Sequence, residues 1–438
     1  MITRRDFLAG AAVGLGCLAS GVRLLADDPP GEKLDIGLVG VGGQGRANLE
    51  GVASQNVKAI CDVDGNNLAE AAKRFPRAAT YRDFRRMLDS EDLDAVVVST
   101  PDHTHAVAAA AAIDLGLAVY CEKPLCHSVH ECRVLQEKAV AKRVATQMGN
   151  QGHAGEGPRR TAEILASGAI GRVREVHAWS DRPIWPQGGD RPEPEPAPRH
   201  LDWDLWLGPA PERPYHANLH PFAWRGWWDF GTGALGDMAC HVLDPAFYAL
   251  HLDAPRTIEA EGEPRKPEMA PLWETVIWTF GARGDHPPLK LVWYDGKKTK
   301  DGREVRNLPA PDLAPGADLT RVENGSLFVG ERGALLLHDA YGDRRSLLPA
   351  ESFAGWTEPP AILPRSKGHH AEWIEGAKGR GTCGSNFDYA APMTETILLG
   401  IVAFRARSRI EWNSERMEAT GCPEADPFLR REYRKGWT

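Results

Sequence analysis

Apolar residues in this chain gather in short runs separated by glycine-rich or polar breaks. Residues 34–39, 57–61, 94–100 and 118–121 are such runs, and each predicts a strand. The run at 94–100 is β-branched and lacks polar alternation, which predicts a strand buried on both faces. Between the runs, residues 46–52 and the Ala-rich stretch 105–115 predict helices. Strands alternating with helices predict a parallel, doubly wound α/β sheet. Ligands on such sheets collect beyond the carboxyl ends of the strands, so the residues just after each run are the first to inspect.

After the first run comes Gly40-Val41-Gly42-Gly43-Gln44-Gly45, a GxGxxG turn leading into a helix. Gly40 permits the tight turn, Gly42 lets backbone approach a pyrophosphate, and Gly45 lets helix and strand pack closely. Gly43 and Gln44 complete the loop, and the helix N-terminus offers N–H groups to phosphate. Asp62 ends the second run, 22 residues after Gly40, near the offset expected for a ribose-binding acid. No Arg or Lys follows in Val63-Asp64-Gly65-Asn66-Asn67, which favours NAD over NADP. The glycine turn alone is a weak signal. Strand before, helix after and acid at this distance together predict a dinucleotide site. Ser99, Thr100, Pro101, His103 and His105 after the third run, and Glu122 and Lys123 after the fourth, are further candidates for its wall.

Composition narrows the class. The 438 residues carry 52 Lys+Arg and 60 Asp+Glu, a formal net charge of −8, with 42% apolar residues. That excludes global disorder and disfavours a nucleic-acid binder, which needs positive charge against phosphate. The length predicts two or three domains. Residues 1–26 stand apart: Arg4-Arg5-Asp6-Phe7-Leu8 precedes a mild, Gly-broken apolar stretch. This resembles a twin-arginine export signal, and the stretch is short for a membrane span. Its removal takes three arginines and one aspartate, leaving a charge of −10. No other segment reads as membrane-spanning. Eight Cys occur, seven beyond the leader, without a CxxC pair or even framework, so neither a disulfide scaffold nor a zinc site is indicated. His103 and His105 have HxH spacing but no closing ligand in sequence, and no metal is expected.

Gly40–Gly45, Pro101-Asp102-His103-Thr104-His105 and Glu122-Lys123-Pro124 together resemble the Gfo/Idh/MocA family, the group of glucose–fructose oxidoreductase and inositol dehydrogenase. So do residues 224–229, the stretch Gly231-Thr232-Gly233 to His241, and residues 327–335. The resemblance covers about residues 33–415. It implies a Rossmann domain (33–155), then an α/β domain with a large, mostly antiparallel sheet (156–415), leaving a tail at 416–438. It also implies catalysis by Lys123, Asp237 and His241, a frequent cis bond before Pro124, and homo-oligomers formed through the sheet's open face.

The chemistry of these residues fits hydride transfer at a carbinol. The hydroxyl proton must leave and the developing alkoxide must be stabilised. His241 suits the proton acceptor. Asp237, four residues earlier on a helix, shares its face and either orients the imidazole or contacts a substrate hydroxyl. Lys123 supplies positive charge, and burial with charged neighbours is a route to a lowered pKa and a share in the relay. Either Lys123 or His241 is the principal base. Residues 183–228 are rich in Pro and Trp, a composition shared by sugar-stacking walls and ordinary cores. Tyr215, Arg225, Trp228, His105 and Asp237 are the candidates for substrate contact, and His369-His370 is a second rim candidate. Residues 405–438 read as a surface-wrapping tail. The leading function is an exported, NAD-dependent oxidoreductase acting on a sugar, sugar derivative or polyol. The rivals are a redox-neutral, NAD-using glycoside hydrolase of the same fold and a non-catalytic binding scaffold.

Overall fold

The computed structural model describes residues 30–264 and 266–437, so the export signal expected at residues 1–26 lies outside the described residues. Six parallel strands form the first sheet: β1 (Asp35–Val39), β2 (Asn56–Cys61), β3 (Ala79–Tyr81), β4 (Ala95–Val98), β5 (Ala118–Glu122) and β6 (Thr146–Gly149). Their order is β3-β2-β1-β4-β5-β6. The order reverses at β1/β4, which opens a crevice between the β1 and β4 ends. All four residues of β4 are buried, the result of helices packing on both sheet faces. The Ala-rich helix begins at Asp102, earlier than its alanines announce, with Pro101 at its N-cap. Ser128 and Glu131 form a reciprocal capping box on the next helix, Val129–Lys142.

The second sheet has ten strands: β7 (Val173–Trp179), β8 (Thr257–Gly262), β9 (Trp273–Phe280), β10 (Leu289–Lys300), β11 (Arg303–Arg306), β12 (Gly325–Gly330), β13 (Ala334–Leu337), β14 (Arg345–Leu348), β15 (Ile410–Asn413) and β16 (Glu418–Thr420). Within this sheet only β7 and β10 pair in parallel; its other described pairings are antiparallel. Helices Gly233–Val242 and Phe387–Ala406 pack on one face, where Trp278 Nε1 donates to the Thr396 carbonyl at 2.8 Å. Helix Phe387–Ala406 has the length and composition of a membrane span, but most of it is buried inside this core.

Two features tie the halves together. Helix His369–Ala377 returns from the second sheet to the first, and its Trp373 and Ile374 pack against Ile36, Leu38 and Tyr120. Residues 405–438 do more than wrap the surface. Helix Phe387–Ala406 runs into them, and β15 and β16 extend the edge of the large sheet. The Lys123–Pro124 peptide is cis.

Candidate functional site

A cleft of about 660 Å³ runs from the glycine turn to helix Gly233–Val242. Its first end is made mostly of backbone. Gly40 has φ +83°, and a Cβ there would stand 2.6 Å from the Ser99 carbonyl oxygen. A Cβ on Gly45 would stand 2.2 Å from the Gly40 carbonyl oxygen, so helix and turn touch as the motif demands. Gly42, Gly43 and Gln44 face the cleft, with open space around Gly43. No side chain caps helix Gln44–Gly51; the Gly45 and Arg46 N–H groups turn back to the Gly42 and Gly43 carbonyls, and the positive end of the helix dipole at this turn suits an anion. Asp62 is pinned by two backbone amides: its Oδ2 accepts from Val41 N at 2.9 Å and its Oδ1 from Asp64 N at 2.8 Å. Each oxygen keeps a further acceptor position for a hydroxyl. Burial raises the Asp62 pKa against the pull of those amides.

Ser99, Thr100, Pro101 and Glu122 line the middle of the cleft. Asn48 Nδ2 donates to Ser99 Oγ at 2.8 Å and to Glu122 Oε1 at 2.9 Å, and Gln151 Nε2 donates to the same Glu122 oxygen at 2.7 Å. Glu122 is thus held by amides, and burial raises its pKa.

The second end is made of side chains from both halves. Lys123 projects from the end of β5, while Asp237 and His241 stand on helix Gly233–Val242. Lys123 Nζ donates to Asp237 Oδ1 at 2.8 Å and to its carbonyl oxygen at 2.7 Å. Arg225 Nε donates to the same Oδ1 at 3.1 Å, with its guanidinium stacked 4.3 Å over Trp224 and 4.8 Å over Phe222. Burial opposes the Asp237 carboxylate, but the two cations win and hold its pKa at about 2. Burial likewise opposes the Lys123 ammonium, and Asp237 overrides it, raising the lysine pKa. This corrects the expectation of a lowered lysine pKa. His241 moves the other way: burial and then Lys123 push its pKa to about 3, so the imidazole is neutral. Its Nδ1 is buried without a partner, and the Tyr341 ring meets it edge-on at 5.5 Å. Asp237 therefore pairs with Lys123 and Arg225 rather than orienting the imidazole. The helical spacing does bring Asp237 and His241 to one cleft, but the cations arrive from other elements.

Several candidates stand elsewhere. Pro101, Asp102, Thr104 and Ala108 line the cleft from this helix and its N-cap, and His103 and His105 do not. His103 is wholly buried, with Nε2 on the Trp206 carbonyl at 2.9 Å and its ring on Trp206 and Phe230. His105 is clasped between the Pro124 and Thr100 carbonyls, 2.8 Å to each, so it supports the cleft wall from behind. Tyr215 packs against Trp203 and Trp228 joins the main core; neither reaches the cleft. His369 bonds the Met148 carbonyl and His370 stacks on Tyr120, which takes both off the rim. Of the tryptophans at 183–228, Trp206 and Trp224 reach the cleft.

The structure adds residues the sequence reading missed. Asn67, Arg82 and Phe84 line the nucleotide end; Gln151, His220, Phe222 and Tyr341 line the rest. Asp102, within the Pro101–His105 motif, also belongs to the cleft. It is buried in the cleft wall, its carboxylate accepting from Thr232 Oγ1 at 2.7 Å, and burial pushes its pKa up to about 7. Helical periodicity does not separate Asp102 from the histidines, since His105 stands four residues after Pro101 and three after Asp102, and the loop residues carry no periodic signal. Among the described residues, no cluster of three or more His, Cys, Asp or Glu has the arrangement of a metal site.

Comparisons with known proteins agree with this architecture. Residues 34–150 match the NAD-binding Rossmann fold of the Gfo/Idh/MocA oxidoreductase family, and residues 167–286 match that family's C-terminal alpha/beta domain. A levoglucosan dehydrogenase of Pseudarthrobacter phenanthrenivorans is 26% identical over 277 residues, 59% of this chain and 62% of that protein. An inositol 2-dehydrogenase of Salmonella typhimurium is 28% identical over 150 residues, 33% of this chain and 45% of that protein. Among solved structures, the WlbA dehydrogenase from Bordetella pertussis, in complex with NADH and UDP-GlcNAcA, superposes with a TM-score of 0.60 at 16% identity. That match covers 87% of this chain and 99% of the other. The two domain matches follow one another in order and together span more than half of the sequence. The chain belongs to the Gfo/Idh/MocA oxidoreductase family.

Proposed function

We propose that this chain is an exported, NAD-dependent oxidoreductase that moves hydride between a CH–OH carbon of a sugar, sugar derivative or polyol and a retained nicotinamide. The observation that carries this reading is the meeting, in one cleft, of an ammonium from the first half and a neutral imidazole from the second. The cleft fits the dinucleotide at its other end: a Cβ on Gly40 or Gly45 would collide with backbone, the helix start is uncapped, and Asp62 keeps acceptor capacity. Relatives named as levoglucosan and inositol dehydrogenases support the substrate class.

When bound, the nicotinamide supplies the acceptor or donor for hydride. The chain's residues handle the rest. The Lys123 ammonium has three N–H donors and commits two to Asp237, so one remains for the substrate oxygen. There it stabilises negative charge as the alkoxide develops. His241, neutral above about pH 3, accepts the hydroxyl proton. Its depressed pKa makes it a weak resting base, so proton loss is coupled to charge development rather than preceding it. Asp237 and Arg225 fix the lysine's position. Trp224 and Phe222 offer apolar faces for ring C–H groups.

Purified protein should carry nucleotide visible by absorbance and mass. A panel of sugars and polyols should reduce it, with formation of reduced nicotinamide as the readout. Nitrophenol release from aryl glycosides without net reduced nicotinamide would move the assignment to the redox-neutral hydrolase. Absence of both bound nucleotide and turnover would overturn the enzymatic reading. Export rests on Arg4-Arg5. Replacing both with Lys should hold the protein in the cytoplasmic fraction.

A further inference from the structure

The segment after β16 returns from the large sheet's edge to the cleft. Arg431 pairs with Glu131 at 2.8 Å and donates to the His103 carbonyl, while Tyr433 Oη donates to Glu131 at 2.7 Å. Further on, Arg434 N donates to the Pro209 carbonyl at 3.0 Å, and its guanidinium donates to the Gly208 carbonyl at 3.1 Å and the Asp204 carbonyl at 2.8 Å. The segment is thereby fastened both to the Rossmann half and to the Trp-rich crossing segment. These bonds deliver Trp437 to the cleft itself. Its indole is 9% exposed, packs 6.2 Å from the Phe84 ring and lies under the Arg85 guanidinium at 4.3 Å. Arg85 also donates to the Gly436 carbonyl at 3.2 Å, fixing the indole from a second side.

The place matters more than the contact. Trp437 joins the wall beside Arg82, Asp83 and Phe84, which follow β3, the strand next to β2, which Asp62 follows. If Asp62 holds the ribose, the adenosine half lies at this end of the cleft. An aromatic side chain is the kind of surface a purine packs on. A surface tail has no need of a tryptophan, the largest apolar side chain, buried at a ligand cleft. We propose that Trp437 is a cofactor-binding residue of the adenosine half, and that residues 430–437 form a strap that must detach before nucleotide can exchange. The inference rests on the NAD reading above and extends it: it gives the chain a physical means of keeping its cofactor between turnovers.

The test uses the full chain. Wild type, Trp437→Ala and Trp437→Phe are loaded with NADH, then chased with excess NAD while nicotinamide fluorescence reports release. Removal of a base–aromatic contact predicts release about tenfold or more faster in Trp437→Ala. Trp437→Phe should stay near the wild-type rate. Binding of the fragments separates a local role from general loosening: Trp437→Ala should weaken ADP-ribose while leaving nicotinamide mononucleotide unchanged. Arg434→Ala, which loosens the strap away from the cleft, should speed release with the indole still present. If wild type holds NADH and Trp437→Ala releases it at the same rate, the inference fails and the proposed function stands. Equal weakening of both fragments would also overturn it, marking Trp437 as structural. If wild type binds neither NADH nor ADP-ribose, the NAD reading falls and takes this inference with it.

Discussion

The two ends of the cleft solve different problems with different materials. At the nucleotide end the working groups are mostly main chain: a glycine turn, an uncapped helix start and one carboxylate clamped by amides. At the chemistry end they are charged side chains drawn from separate halves, Lys123 on one and Arg225, Asp237 and His241 on the other. A phosphate is a fixed charge that rigid donors can hold. A proton in transit needs groups whose pKa values have been moved apart, and only buried side chains supply that. The first end should therefore govern affinity, and the second should govern rate.

Substitutions at the chemistry end should have the largest effect. Lys123→Met removes the cation that faces the developing alkoxide and leaves Asp237 with Arg225 as its remaining cationic partner. A loss in kcat of about 10² to 10³ is expected, the scale of removing one preorganised donor. His241→Gln removes the proposed proton acceptor and should cost about 10² to 10⁴ in kcat. Both should leave NADH affinity close to wild type, measured by fluorescence titration. Equal losses in affinity and rate would erase the distinction between the ends.

Gly45→Ala makes the converse test. Its Cβ would stand 2.2 Å from a backbone oxygen, so the turn must move. Overpacking of this kind costs about 1–3 kcal/mol, roughly fivefold to 150-fold in nucleotide affinity if the strain falls on the bound form. At saturating nucleotide, kcat should change far less than in Lys123→Met. A larger loss in kcat than in affinity would show that the turn positions the reacting ring as well as the phosphates.

The two ends also differed in how much of them the sequence disclosed. The glycine spacing, the β-branched run of β4 and Asp62 after β2 are local patterns, and local patterns survive in a one-dimensional text. Lys123 lies over a hundred positions from Asp237 and His241, on the other half of the molecule, and it is the family resemblance that joins them. His103 and His105 stay out of the cleft for tertiary reasons that no local pattern shows: the Trp206 carbonyl holds one ring, and the Thr100 and Pro124 carbonyls hold the other. Tyr341 and Arg82 reach the cleft from loop positions that show no periodicity. Trp437 was hidden in a stretch of mixed charge whose path depends on ion pairs to Glu131 and Asp204.

Asp102 belongs to the junction of the two ends, and it gives the finest test. It begins a helix of the Rossmann half and accepts from Thr232 of the second half. Burial raises its pKa from the ordinary carboxyl range to about 7. For a raised carboxyl, the folded state binds a proton that the unfolded chain has already released. Its contribution to stability is therefore full below about pH 4 and is lost as pH rises through about 7. Asp295, buried in the large sheet and also pushed to about 7, adds a slope of the same sign. Asp102→Asn keeps an acceptor for Thr232 and removes one titration from the set of buried, raised carboxyls that includes Asp62, Glu122 and Asp295. Urea midpoints between pH 4 and 7 should fall less steeply with pH in the variant, by one proton's worth, about 1.4 kcal/mol per pH unit at most. Turnover of Asp102→Asn should change least of all the variants named here. A parallel stability profile for wild type and variant would mean that Asp102 is ionised in the folded chain. The junction would then carry a second negative charge facing Lys123, and the lysine's third N–H would answer to that carboxylate before it answered to substrate.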